Sequence, residues 1–272
     1  MNYNDFLKNK IALGRTEGTI LCIKNHLESF WEFYKAKGKK LKTISKKDIE
    51  DYLFHLREKG YKPGTIRDRM NTLKDFLRYQ GIKTFPIFKI SQSRTLPKFL
   101  DFGDIKKIRQ AIKKERDLLV FDLLFATGMR VAELCSLDCG NINGHSLLIV
   151  GKGHRERVVE MPQKLYLRLK KFTNGNNDSP VFFSKGKRIT RFAVNSFIKR
   201  YGERAKLDKK IWPHRLRHSF ATQFLNNGGR IEALSELLGH SSIATTQIYA
   251  HLSNQIVRKE YMKAMGQCLR FA

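Results

Sequence analysis

Residues 81–97 read GIKTFPIFKISQSRTLP. Apolar residues recur at helical spacing on both sides of this stretch. Within it the periodicity stops, and Pro86 and Pro97 deny a continuous helix. The stretch is therefore read as the connection between two folded parts. The first part is assigned to 1–90, the linker proper to 91–97 and the second part to 98–272. A chain of 272 residues is long enough for two domains of ordinary size.

Upstream, the pattern is helical throughout. Thr16-Glu17-Gly18-Thr19 precedes a run with Ile20, Ile23, Leu27, Phe30, Trp31, Phe33 and Tyr34. Ser45 followed by Asp48 predicts a helix N-cap with an acidic partner, and Ile49, Tyr52, Leu53 and Leu56 form the stripe behind it. Lys62-Pro63-Gly64-Thr65 predicts a third helix start. That helix carries Ile66, Met70, Leu73, Phe76, Leu77 and Tyr79 on one face, and Lys62, Arg67, Arg69, Lys74 and Arg78 on the other. Such a cationic face fits a helix laid along a polyanion. It also fits an ordinary solvated surface.

Downstream, helices are predicted over Phe102–Ala111, over Arg116–Ala126 and from Arg130 onward, with Val131, Leu134 and Leu137 inward. Gly128 stands where a left-handed C-terminal cap is needed. His145–Val150 and Arg157–Met161 read as two strands joined at Gly151-Lys152-Gly153. After Pro162 helices return, with one polar loop over Thr173–Pro180. The fold class is mostly α with a small antiparallel β-sheet, in two domains.

Composition narrows the partner. The net charge is +28; residues 1–95 hold 21 basic against 10 acidic side chains, and the remainder 32 against 15. Both parts are basic, so the excess is not a tail, and nucleic acid is the first candidate. A generally lysine-rich composition is the bland alternative. The start, MNYNDFLKNK, has no hydrophobic signal segment. The longest apolar run, Leu118–Leu137, is broken by Asp122, Arg130 and Glu133 and makes a poor membrane span. A cytoplasmic, nucleoid-associated protein is expected. Cys22, Cys135, Cys139 and Cys268 form no C-x-x-C pair, so free buried thiols are expected and not a zinc site. D-x-D clusters, H-E-x-x-H and G-x-x-x-x-G-K-[ST] are absent, and no metal or cofactor is expected.

Four segments of the second part carry chemistry. They are Ala126-Thr-Gly-Met-Arg130-Val-Ala-Glu133-Leu134, Gly151-Lys152-Gly153, His214-Arg-Leu-Arg217-His-Ser-Phe-Ala-Thr222, and Leu238-Gly-His240 followed nine residues on by Tyr249. Guanidinium forks match phosphate oxygens and stay charged, so Arg130 and Arg217 suit the charge that builds on a five-coordinate phosphorus. A phenol, with a pKa of about 10, needs such help to act as a nucleophile near neutrality. In a helical H-x-x-R, His214 and Arg217 share a face. Taken singly, each arginine also fits a salt-bridged surface residue, and Tyr249 a packed helix tyrosine.

In this order, Arg, Lys, His-x-x-Arg, His, Tyr, the sequence resembles the tyrosine recombinase (phage-integrase, Xer-like) family across essentially the whole second part. The resemblance implies a C-shaped clamp on DNA, built from a helical core-binding domain and a catalytic domain. It implies Tyr249 as nucleophile, Arg130 and Arg217 as the phosphate-binding pair, His214 as proton acceptor, Lys152 as general acid and His240 as a phosphate hydrogen-bond donor. Glu133 is either an orienting carboxylate or an exposed i,i+3 partner of Arg130. Arg155 and Arg157, on the second strand, are expected to help hold DNA. His218, beside Arg217, and His251, two after Tyr249, are expected to point away from those two residues if both segments are helical, and neither joins the catalytic set. The family implies a 3′-phosphotyrosine, a Holliday junction and a homotetramer on two DNA sites, with the apolar segment 254–272 docking on a neighbouring subunit or packing on its own domain. Since the chain opens on the helical part, no extra arm-site-binding domain is expected. A type IB topoisomerase or telomere-resolvase-like strand transferase, and a non-catalytic DNA-binding regulator, are the alternatives.

Overall fold

A computed structural model describes residues 3–82, 98–151, 156–173 and 176–239. The chain forms two compact units, Met1–Arg94 and Thr95–Ala272, each with its own hydrophobic core. It is mostly helical with a small antiparallel sheet.

The first unit holds α1 (Asn4–Ala12), α2 (Glu17–Lys35), α3 (Lys46–Glu58) and α4 (Pro63–Tyr79). Pro63 starts α4 where its missing N–H costs nothing. Ser45 caps α3 by accepting from Asp48 N at 3.3 Å, while Asp48 accepts from Ser45 N at 2.9 Å, which is the capping box expected from the sequence. Phe30, Tyr34, Ile49, Tyr52, Leu56, Ile66, Met70, Leu73 and Leu77 make the core. Helix α1 was not legible as a helix. It contributes Phe6, which is fully buried against Phe76 and Leu27 and stabilises the unit by about 2 kcal/mol. Tyr79 departs from its expected place in the α4 stripe. On the last turn it is exposed on one side and meets the Phe6 ring at 5.3 Å.

The second unit holds α5 (Phe102–Ala111), α6 (Glu115–Thr127), α7 (Val131–Cys135), β1 (Ile142–Asn143), β2 (Ser146–Val150), β3 (Glu156–Glu160), α8 (Gln163–Phe172), β4 (Phe183–Ser184), β5 (Lys187–Arg188), α9 (Arg191–Arg204), α10 (Pro213–Asn226) and α11 (Ile231–Leu238). Helix α6 is the axis of this unit. Leu119, Val120, Phe121, Leu123 and Leu124 are all buried, because α7, α8, α9 and α10 pack around it. At its start the fully buried Asp117 accepts from Arg116 and from Tyr201 Oη at 3.0 Å. Strands β1, β2 and β3 lie in that order, antiparallel, with Leu147 opposite Val159 and Ile149 opposite Arg157. The β4–β5 hairpin replaces part of the expected run of helices after Pro162. Its two-residue strands are too short for an alternation signal, and its turn places Lys185 and Gly186 at φ +53° and +73°.

Among the described residues the expected free thiols are found, but not buried ones: Cys22 is exposed and Cys135 and Cys139 are half-buried, and Cys268 lies outside the described residues. Burial still lifts the Cys135 thiol to about 11, so it stays protonated. No described helix is long and apolar enough to cross a membrane.

Candidate active site

The site grows from the end of α6. Gly128 closes that helix in the left-handed conformation, φ +62°. A Cβ there would come within 2.3 Å of Phe220 Cδ1, so both the turn and the close approach of α10 require glycine. The turn delivers Arg130 as the residue that caps α7. Glu133, three residues on, is 6% exposed and accepts from Arg130 N at 2.7 Å and Arg130 Nη1 at 2.8 Å. Of the two readings left open for Glu133, the exposed one is therefore excluded. Glu133 holds Arg130, whose side chain remains 36% exposed and able to meet an anion.

Arg217 comes from the second turn of α10 and is 5% exposed. Its Nη1 donates to Gly128 O at 2.6 Å and its Nη2 to Leu238 O at 2.7 Å. These carbonyls belong to the C-terminal ends of α6 and α11, where unpaired C=O groups carry negative partial charge and favour a cation. One guanidinium thus ties two helix ends together. His214, in the first turn of α10, lies in the field of the same group. Partial desolvation of its ring, then Arg217, then Arg130, all lower its pKa and favour the neutral imidazole, while the side chain stays exposed and open to a proton. Arg130 and Arg217 are thus both near enough to act on the His214 ring. Lys152, Arg155, His240 and Tyr249 lie outside the described residues. So do most of the linker, His251 and segment 254–272.

Three sequence expectations are corrected. Arg157 is not a surface cation; its side chain is 11% exposed. Its Nη2 and Nη1 donate to Glu133 at 2.7 and 3.1 Å, and its Nε donates to Leu237 O at 2.8 Å. Strand alternation carried the signal, since Arg157 shares a face with the buried Val159 while Val158 faces out. Burial pushes the Glu133 carboxyl up, but hydrogen bonds from Arg157 and Arg130 outweigh it and hold the group below the usual glutamate value. His218 is not remote from the set. It stands one turn below His214, ring centroids 6.4 Å apart, and burial, His214 and Arg217 bring it down to about 4. In a helix i and i+4 share a face, and this spacing outranks the i+1 offset from Arg217.

Arg69 is the third correction. It leaves the cationic face of α4 to lie over the Tyr61 ring, 4.5 Å from its centroid, with Nε and Nη1 shielded from solvent and without a hydrogen-bond partner among the described residues. Lys62, Arg67 and Arg78 stay exposed, and Lys74 is half-buried. Among the described residues no group of three or more His, Cys, Asp or Glu side chains is placed to hold a metal ion.

Two family descriptions match the chain: the phage integrase family over residues 98–255, and the phage integrase N-terminal SAM-like domain over residues 4–80. The tyrosine recombinase XerC of Thermodesulfovibrio yellowstonii is 32% identical over 281 aligned positions, covering 94% of this chain and 92% of that protein. Among solved structures, the XerH site-specific recombinase bound to a palindromic difH substrate aligns with a TM-score of 0.74 at 24% identity, over 90% of this chain and 79% of that one. A lambda integrase tetramer bound to a Holliday junction aligns with a TM-score of 0.72 at 18% identity, over 89% and 75%. These two likenesses speak to the fold, and the sequence matches decide the family; neither favours the topoisomerase or the regulator. With the match running through both units, the chain belongs to the phage integrase family and is a tyrosine-type site-specific recombinase.

Proposed function

We propose that the chain moves one phosphodiester of duplex DNA onto Tyr249 and then onto a new strand. Tyr249 Oη attacks phosphorus as the bond to the 5′ oxygen breaks. That oxygen leaves with a proton from Lys152, and a 3′-phosphotyrosine remains. His214 takes the phenol proton, a role for which a neutral imidazole is needed. Arg130 and Arg217 meet the charge on the nonbridging oxygens, with His240 donating a further hydrogen bond. The 5′ hydroxyl of a partner strand then attacks the phosphotyrosine and Tyr249 regains its proton. The phosphotyrosine keeps the energy of the broken bond, so resealing needs no nucleotide or cofactor.

The observation that carries this reading is the gathering of Arg130, His214 and Arg217 at one joint of α6, α10 and α11, with both arginines acting on the His214 ring. Residues 1–90 serve as the core-binding domain and 98–272 as the catalytic domain. The net charge of +28 supports DNA as the partner. Lys62, Arg67, Lys74 and Arg78 on α4, with Arg155, supply phosphate contacts, so affinity falls steeply with salt. Strand exchange runs through a Holliday junction in a homotetramer on two sites, with segment 254–272 docked on a neighbouring subunit.

The test is a denaturant-stable protein–DNA adduct. A pool of nicked duplexes with randomised half-sites is incubated with the full chain, and covalently bound DNA is recovered and its cut mapped. Tyr249→Phe is expected to bind the recovered duplex and to form no adduct. An adduct formed equally by both chains would overturn Tyr249 as the nucleophile.

A further inference from the structure

Arg157 has no role in the mechanism above, yet all three of its guanidinium nitrogens are hydrogen-bonded. Both Glu133 oxygens are shared between two arginines. Oε1 accepts from Arg130 Nη1 and Arg157 Nη1, and Oε2 from Arg130 N and Arg157 Nη2. Without Arg157, Oε2 keeps its bond to the Arg130 backbone N, but Oε1 is held only by the Arg130 side chain and can follow it. The second fork removes this freedom and sets the plane of the carboxylate that fixes Arg130 Nη1. The fork is itself anchored, since Arg157 Nε donates to Leu237 O, one residue before the carbonyl that Arg217 grips. Consecutive carbonyls at the end of α11 are thus taken by arginines from two elements, β3 and α10. Gly239 follows at φ +61°, and a Cβ there would lie 3.1 Å from Arg157 Cδ and Nη1, so the packing leaves no room for slack.

Charge gives the second half of the argument. Glu133 with Arg130 alone is a neutral pair, which would offer little to a phosphate. One carboxylate between two guanidiniums leaves a surplus of one positive charge. We infer that Arg157 is a positioning residue for Arg130: through Glu133 it fixes the direction of the Arg130 fork and preserves the positive charge presented to the scissile phosphate. This rests on the reading of Arg130 as a phosphate ligand.

The test uses the full chain and the duplex recovered in the adduct selection. Single-turnover cleavage and equilibrium binding are measured for wild type, Arg157→Lys and Arg157→Gln. Lysine keeps the charge but not the fork, and glutamine keeps neither. Cleavage is expected to slow about tenfold in Arg157→Lys and about a hundredfold in Arg157→Gln, with binding changed by less than about threefold. The separating measurement uses the same duplex with a neutral methylphosphonate at the cut. There the clamp has no charge to meet, so the deficit is expected to shrink to about threefold or less.

Equal deficits on both linkages would reduce Arg157 to a structural residue and overturn the inference. Unchanged cleavage in Arg157→Gln, or a loss confined to binding, would do the same. Arg157→Lys covers the case in which the glutamine variant does not fold. Failure of the wild type to form any adduct would sink the underlying reaction instead, and is seen before the variants are compared.

Discussion

The two units use their cations in opposite ways. In residues 3–82 one acid is held inside and many bases face water. Asp48 is buried and gripped by Lys39 at 2.8 Å and Lys37 at 3.7 Å, while Lys62, Arg67 and Arg78 stay exposed along α4. In residues 98–239 arginines have gone inside as struts. Arg217, Arg157 and Arg215 are each turned inward, and their partners include the backbone carbonyls of Gly128, Leu238, Leu237 and Lys210. The lesson is that one sign of charge has two meanings. Outside, a cation recruits an anionic partner; inside, it joins helix ends and aims another arginine.

The sharpest way to break this contrast is to remove one cation of each kind. Arg217→Ala leaves two helix-end carbonyls without their donor and deletes half of the proposed phosphate pair. Cleavage is expected to fall about 10³-fold and the second unit to lose about 3 kcal/mol, with some DNA binding retained. Arg67→Ala is expected to leave stability within about 0.5 kcal/mol and to weaken DNA binding with a shallower salt dependence. Adduct formation at fixed saturation, thermal melts and salt titrations measure these. Full activity in Arg217→Ala would refute its role.

A second prediction tests the joint that the inner arginines hold. Gly128→Ala adds a left-handed penalty to a clash with Phe220, and is expected to cost about 3 kcal/mol in the second unit. The two tryptophans separate the units optically, since Trp31 lies in the first and Trp212 in the second. In Trp31→Phe and Trp212→Phe backgrounds the loss is expected in the Trp212 signal.

How much of this was legible depended on the kind of signal. The Ser45–Asp48 box, Gly128, the limits of α5 and the β2–β3 pair follow from local rules in which neighbours decide the outcome. The order of the site residues was equally plain. What escaped was set by tertiary packing. Helix α1 has weak amphipathic spacing and forms because Phe6 finds Phe76 and Leu27. Helical spacing puts Arg69 on the cationic face, and its place after the hairpin tip puts Arg157 among the DNA contacts; neither rule sees burial. The inward turn of Arg157 was nevertheless written in the alternation with Val159, and that of His218 in its i,i+4 relation to His214.

The outer-acid half of the contrast makes a smaller claim. Burial pushes Asp48 up, but hydrogen bonds from Lys39 and Ser45 outweigh it and bring the group to about 2 from the ordinary 3.8. A depressed carboxylate stabilises fully above its unfolded value, and that stability is lost as pH falls through about 2. Asp48→Asn is expected to cost about 1–2 kcal/mol at neutral pH, read by Trp31, and to flatten the acid dependence of the first unit. An unchanged acid limb would show that the box is held by the backbone alone.

The least effect is expected from the histidines, and it sharpens the comparison because each unit has one half-buried imidazole pressed by an arginine. His26 is lowered by burial and then by Arg69, and His218 is brought to about 4 by burial, His214 and Arg217. A histidine whose folded pKa is depressed stabilises fully above its unfolded value of 6.5. For His218 that contribution is lost as pH falls from 6.5 through about 4, because the unfolded chain takes the proton first. Between about pH 7.5 and 6 the change is expected to be roughly half a kcal/mol or less. His218→Gln is expected to reduce the slope seen by Trp212 and to leave that seen by Trp31 unaltered, while His26→Gln does the reverse. Catalysis supplies an independent check: with His214 as the proposed proton acceptor, the acid limb of cleavage is expected below the ordinary imidazole value, since desolvation, Arg217 and Arg130 all lower it. If the Trp212 slope in His218→Gln matched the wild type, the field of the inner arginines would not reach past His214, and the contrast would narrow to the helix ends alone.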